Sequence, residues 1–252
     1  MIFKQLIVGV LLVFLASCKT HTLNLAKIEG EQIPISENLK SDEAINAFIK
    51  PYHDHVVKEL DSVLAYSPDY YAKDNGQFNT AIGNLMADII YEQSNPVFHS
   101  RTGKDIDFVL LNHGSIRAPI SKGNITLNTA FELMPFENSI VVVAIKGKNV
   151  NEAFKYLSEK RLAHPVSRIK LALDSKYDIV EATVNGKPVD ETKTYYVVTN
   201  DYLYNGGDHM TFFKPNDSVY VLDYKVRNAL IDYFTKVDTI NPVRDDRFIQ
   251  IN

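Results

Sequence analysis

A helix-period segment and a strand-like run stand side by side in this chain, and that juxtaposition limits the fold more than any other feature. Ile82, Leu85, Met86, Ile89 and Ile90 stand at i, i+3, i+4, i+7 and i+8, the spacing that gives a helix one apolar face. Residues 106–111 then run apolar and end in Asn112-His113-Gly114, which predicts a buried strand. The change of period recurs downstream. A short helix through Leu127, Ala130, Phe131 and Met134 stops at Pro135, and the β-branched run 139–145 predicts a strand. After Gly147 a helix places Val150, Ala153, Phe154 and Leu157 on one face. Residues 168–173, 179–184 and 195–199 predict further strands, with Asn185-Gly186 offering a turn. A last helix around 226–234 precedes a tail with Phe248 and Ile251. Upstream, from Ser41, Ile45, Phe48, Ile49, Tyr52, Val56, Leu60 and Val63 return to one helical face, with a break or kink expected at Pro51. No period of roughly 20–50 residues repeats, which excludes a solenoid. Intermixed strands and helices point to a mixed α/β (α+β) layered domain rather than a bundle or sandwich.

The N-terminus follows other rules. In MIFKQLIVGVLLVFLASCKT, Lys4 supplies a short positive region and residues 6–15 an apolar run of signal-peptide length, too short to cross a bilayer comfortably. Small residues precede Cys18 in Leu15-Ala16-Ser17-Cys18, the pattern of a bacterial lipoprotein cleavage box, and Cys18 is the only cysteine. The expectation is a signal peptide over 1–18, a lipidated Cys18 holding the protein to a membrane, a polar tether over 19–40 and a domain over 41–252. Lipidation places the chain outside the cytoplasm at a bacterial cell envelope, periplasmic or on the cell surface. It also leaves no cysteine for disulfide or thiolate chemistry. A net charge of −4 with no long basic run excludes an electrostatic footprint for nucleic acid.

Three loops carry the residues capable of recognition. They are Asn112-His113-Gly114-Ser115-Ile116-Arg117, then Met134-Pro135-Phe136-Glu137-Asn138, then Asn200-Asp201-Tyr202-Leu203-Tyr204-Asn205-Gly206-Gly207-Asp208. Each joins turn-prone residues to one aromatic or ionic side chain, as loops do when a rigid scaffold projects them. Alone, each has a plain structural use: a tight turn, a helix stop, a solvated charge. The last stretch, continued through His209, is compatible with a turn, a metal site or the rim of a pocket.

Taken in order, Asn-x-Gly-x-Ile-Arg, Pro-Phe-x-Asn and Asn-Asp-Tyr-Leu-x-x-Gly-Gly-Asp resemble the C-terminal domain of 5′-nucleotidases and UDP-sugar hydrolases. The likeness runs from about Val56 to the end of the chain. It includes Gly83-Asn84-Leu85-Met86-Ala87-Asp88, Gly123-Asn124-Ile125-Thr126, residues 143–157 and Pro165-Val166-Ser167. The resemblance implies a layered α/β/β/α domain with mixed sheets that binds substrate. It implies that Phe136 and Tyr202 sandwich a nucleobase and that Arg117 holds the ribose and phosphate region. Asn112 is then placed at base or ribose, and Asp208 on the ribose hydroxyls. Gly206 and Gly207 let the backbone pass close to the ligand, and Gly114 and Asn138 complete the matched substrate-binding set. There are departures. Residues 76–80 hold no arginine where the family often has one, Glu137 replaces a glycine and adds negative charge near a possible anion site, and His209 replaces another glycine.

The metallophosphatase half of that family needs Asp-x-His, a Gly-Asn-His-Asp/Glu segment and later histidines, and this sequence holds none of them. His53 and His55 stand two apart in a helical segment and cannot face one metal, while His113 and His209 could edge the pocket without a third ligand. The expectation is therefore no catalytic residue, metal site or cofactor in the chain, with divalent metals only in a partner. The chain reads as the nucleotide- or nucleoside-binding part of a split 5′-nucleotidase, acting with a separately encoded metallophosphatase. The alternative is a stand-alone nucleoside- or nucleotide-binding lipoprotein; a third, ranked last, is catalysis by an unrecognised site.

Overall fold

The computed structural model describes Leu25 and residues 27–251, so Cys18 and the signal-peptide reading lie outside the described residues. The chain divides into a unit over 1–48 and a unit over 49–252. Helix α1 (Glu43–Leu60) begins where the Asp42 carboxylate accepts from the Ala44 and Ile45 amides at 2.9 and 3.1 Å, an N-cap. It runs through Pro51 without interruption. Proline removes one donor, the N–H that would reach the carbonyl four residues back, and the turns on either side carry the helix past it. Val63, expected on the helical face, instead opens strand β1 (Val63–Ser67).

The remaining elements follow in order: α2 (Ala81–Thr102), β2 (Phe108–Leu110), β3 (Gly123–Thr126), α3 (Leu127–Leu133), β4 (Ser139–Lys146) and α4 (Gly147–Lys160). Then come β5 (Val166–Ser167), β6 (Ile169–Leu173), β7 (Ile179–Val184), β8 (Lys187–Pro188) and β9 (Thr194–Asn200). A single helical turn, α5 (Asp201–Tyr204), leads to β10 (Asn216–Lys225), α6 (Val226–Lys236) and β11 (Phe248–Gln250). The caps are those the sequence supplies. The Thr80 hydroxyl accepts from the Gly83 amide at 3.1 Å to start α2, and Thr126 and Thr129 form a reciprocal capping box at α3. Asn185 and Gly186, at φ 52° and 70°, make the turn between β7 and the short β8, where left-handed backbone matches strand twist.

The mixed sheets are both present. One has the order β10-β4-β9-β2-β5, with β9 and β2 parallel and every other pair antiparallel. The other has the order β11-β6-β7-β8, with β11 and β6 parallel. Alternation along β4 explains its unbroken apolar sequence. Ile140 and Val142 face the core built with α2, α3 and α6, whereas Val141, Val143 and Ile145 face the core shared with α4 and the four-stranded sheet. A strand covered on both faces has no polar side to show.

The Gly-Asn-Leu-Met-Ala-Asp motif serves the fold. Asn84 Nδ2 donates to the Val243 carbonyl at 3.0 Å, and the neighbouring Asn79 donates to that of Phe248 at 2.8 Å. Asp88 accepts from both Arg247 Nη atoms at 2.9 and 3.0 Å and from the Ser167 hydroxyl at 2.5 Å. Arg247 also holds Asp245 at 2.7 Å. The C-terminal tail is thereby tied to α2 and β5. Burial pushes the Asp245 carboxyl up, but the hydrogen bonds and charge of Arg247 outweigh it and hold the group below its usual value. A depressed carboxyl contributes stability above its unfolded-state pKa of about 4 and loses it as pH falls through the folded value. Arg247→Ala is expected to cost about 2 kcal/mol in urea unfolding at pH 7. The difference from the parent should shrink below about pH 4; a pH-independent difference would contradict this assignment.

Candidate functional site

Strand order brings the three loops together. Because β2 and β9 are parallel, the loops after Leu110 and after Asn200 leave from the same edge of the sheet. Because β4 runs antiparallel to β9 with Ile140 opposite Asn200, the loop that enters β4 arrives at that edge too. Ligands of open α/β sheets bind at the carboxyl ends of parallel strands for this topological reason. Here the edge encloses a cavity of about 290 Å³.

Asn112, Gly114, Arg117, Phe136, Asn138, Tyr202 and Asp208 all line the cavity, with Ser115 and Met134 beside them. Gly206 and Gly207 line an adjoining open cleft, which shares Phe136, Asn138 and Tyr202 with the cavity and adds Glu137, Asp201 and Asn205. Two facing asparagines mark the strand ends: Asn200 donates to Asn112 Oδ1 at 3.5 Å, while its own Oδ1 accepts from the Leu203 amide at 2.9 Å and so caps α5. A turn of 3-10 helix at His113–Ser115 then carries the chain to Arg117. The Arg117 amide donates to the Leu133 carbonyl at 2.9 Å, fixing this loop to the end of α3.

The aromatic rings are held differently. Phe136 and Tyr202 are 43% and 47% exposed, unusual for rings at a cavity wall when burial of aromatic area is so favourable. Tyr202 lies against backbone: a Cβ placed on Gly207 would come within 2.5 Å of its ring. Its hydroxyl donates to Asp208 Oδ1 at 2.9 Å, and that hydrogen bond raises the phenol's pKa. Gly206 supplies the left-handed turn at φ 92°, and Asp208 and His209 follow at φ 51° and 62°. Non-glycine residues in this region carry strain of roughly 1–2 kcal/mol. The Tyr156 hydroxyl pins the strained segment by donating to the Asp208 carbonyl at 2.8 Å; burial pushes that phenol up to about 12. Arg117 stands with its guanidinium carbon 5.8 Å from the Phe136 ring centroid. Among the described residues no carboxylate pairs with it, so the cavity lining holds both an open cation and the Asp208 carboxylate.

Several expectations need correction. Glu137 does not leave a free negative charge at an anion site, because its carboxylate pairs with the buried Arg227. His113 and His209 do not line the cavity. His113 turns its Nδ1 to the Ala163 carbonyl at 3.1 Å, and His209 borders a separate depression beside Tyr156 and Phe212. Residues 76–80 are structural: Phe78 is core, Asn79 ties the tail and Thr80 caps α2. Sequence reading also passed over His164, 3% exposed, whose Nδ1 lies 3.2 Å from the His113 amide and 3.3 Å from the Leu111 carbonyl behind Asn112. Burial pushes its imidazole down to about 4, keeping it neutral at pH 7. Among the described residues no group of three or more His, Cys, Asp or Glu could hold a metal ion, and the exposed His53 and His55 pair with Asp54 and Glu59 on their own helix. The paired metals of a metallophosphatase do not fit the described residues.

Gly207→Ala is expected to push the Tyr202 ring off its seat at a cost of about 1–3 kcal/mol. Thermal unfolding and the near-ultraviolet dichroism of the tyrosines should both change; an unaltered spectrum would refute the packing argument.

The fold is shared with known proteins. The family described as 5′-nucleotidase, C-terminal domain, matches residues 61–215. An apyrase of Tabanus yao is 26% identical, over 83% of this chain and 42% of its own length. A cell wall protein of Listeria monocytogenes is also 26% identical, over 72% of this chain and 29% of its own. The crystal structure of a 5′-nucleotidase precursor from Thermus thermophilus superposes with a TM-score of 0.69 at 25% identity, over 83% of this chain and 43% of that one. The chain spans less than half the length of these relatives.

Proposed function

Because this chain belongs to the 5′-nucleotidase C-terminal domain family, which matches more than half of it, we propose that it binds a nucleoside or nucleotide and presents it to a metallophosphatase. The observation that carries the reading is the pair of half-exposed rings, Phe136 and Tyr202, on the wall of one cavity. A nucleobase is flat and apolar on its faces, and stacking on an aromatic side chain contributes roughly 1–3 kcal/mol per base. The guanidinium of Arg117, without a carboxylate partner among the described residues, suits phosphate or ribose oxygens, which its planar fork meets with two hydrogen bonds. The second oxygen of Asp208, the one not taken by Tyr202, suits ribose hydroxyls. Asn112 and Asn138 add amide donors and acceptors at the same wall.

In this reading the chain holds and orients the substrate, and bond cleavage belongs to a partner whose two metals clamp the phosphate and activate water. The pair would dephosphorylate extracytoplasmic nucleotides at the cell envelope, with this chain held to the membrane through Cys18. That a Listeria relative is a cell wall protein supports this placement. No helix among the described residues is long and apolar enough to cross a membrane.

Calorimetric titration with AMP and adenosine tests the binding claim. Phe136→Ala and Tyr202→Ala should each weaken both ligands about tenfold. Arg117→Ala should weaken AMP more than adenosine; equal losses would assign it to ribose instead. Unchanged affinity in both aromatic variants would remove the sandwich. Phosphate release from AMP should require a metallophosphatase and divalent metal. Hydrolysis by the purified chain alone would overturn the division of labour, and binding without stimulation of a phosphatase would favour a capture protein.

A further inference from the structure

We propose that Arg227 is the positioning residue for Phe136, an inference that rests on the base-binding reading above. Arg227 sits on the core-facing side of α6 and is 6% exposed. Its Nη1 donates to three successive carbonyls beyond the end of α3: Met134 at 3.3 Å, Pro135 at 3.1 Å and Phe136 at 3.5 Å. Its Nη2 pairs with the Glu137 carboxylate, and its guanidinium carbon lies 4.2 Å from the Phe131 ring centroid. The Nε is buried with no partner.

This is a costly way to fill a core position. A buried cation is disfavoured, and a buried N–H without an acceptor forfeits its hydration. A leucine would cover Phe131 with neither cost. What a leucine could not do is fix three backbone carbonyls at once. Residues 134–136 have left the helix, so their carbonyls have no intrahelical donors. Over these residues the chain passes from the fully buried Met134 to the half-exposed Phe136, and the ring has no core of its own to seat it. Its direction is therefore set by its backbone. The next two residues are held from the same place. Lys225 Nζ donates to the Glu137 carbonyl at 2.7 Å, and the Val226 amide donates to that of Asn138 at 3.0 Å. The start of α6 is thus a template on which the whole Pro-Phe loop is laid, with Arg227 governing the part that carries the ring. Lysine brings one nitrogen where arginine brings two, so it cannot hold these carbonyls and the Glu137 carboxylate together.

The test uses the full-length chain with Arg227→Lys and Glu137→Gln, each made in the Phe136 and the Phe136→Ala backgrounds. Affinities for adenosine and AMP are measured by calorimetry, and a fluorinated phenylalanine at 136 reports the ring by fluorine NMR. Arg227→Lys should weaken both ligands alike, by about fivefold, and the loss should vanish in the Phe136→Ala background. The fluorine line should shift or broaden. An equal loss in both backgrounds, or an unmoved fluorine line, overturns the proposal. If Arg227→Lys does not fold, Glu137→Gln at the exposed end of the pair carries the same comparison, with an expected loss of about twofold. If the parent chain binds neither adenosine nor AMP, the base-binding reading fails, and the fluorine line alone decides whether Arg227 sets the ring.

Discussion

The parallel pairing of β9 with β2, flanked by the antiparallel β4, is the constraint on which the rest of this structure depends. Phe108 and Val109 lie opposite Val197 and Val198, and the same β9 residues lie opposite Val143 and Val142 on its other side. That register places residues 112, 138 and 200 at one sheet edge although long stretches of chain separate them. Without it the three loops would be unrelated turns. With it they form one cavity, and the two cores on either face of the sheet keep the edge rigid.

Around the cavity local costs accumulate in one place. Asp208 and His209 take left-handed backbone, Phe136 and Tyr202 leave much of their ring area in water, Arg117 has no carboxylate partner among the described residues and Arg227 is a buried cation. Along β4 and at both ends of α2 propensity, capping and packing agree, although Arg161, Arg168, Tyr177, Asn185 and Asp223 also take left-handed backbone away from the cavity. Conflicts of this kind concentrate where a fold is shaped for a ligand rather than for its own stability. Tyr202 shows how the conflict is contained. Gly207 makes room beneath the ring, and Asp208 holds its hydroxyl.

Much of the fold was legible because periodicity reports burial. The 3.6-residue repeat of α2 and the β-branched run of β4 each named their element, and the family resemblance named the loops. The failures have physical causes. Val63 matched a helical face by spacing alone, but β1 pairs with β3, a non-local contact that spacing cannot encode. β10 is hard to read because its β-prone stretch is only Val219-Tyr220-Val221-Leu222, flanked by Asn216-Asp217-Ser218 and Asp223, and its pairing with β4 is non-local. The roles of Glu137, His113 and Arg227 depend on partners far away in sequence. For Arg227 a cue existed: a charge on the apolar face of α6 between Val226 and Leu230.

The central claim is that a nucleobase lies between Phe136 and Tyr202. Mapping chemical-shift changes while adenosine is titrated into the isotopically labelled chain tests it most directly. The account predicts ring-current shifts at the Phe136 and Tyr202 side chains, together with amide shifts at Asn112, Gly114 and Asp208. Shifts confined to another part of the surface, such as the depression formed by Glu92, Arg101 and Lys236, would contradict it.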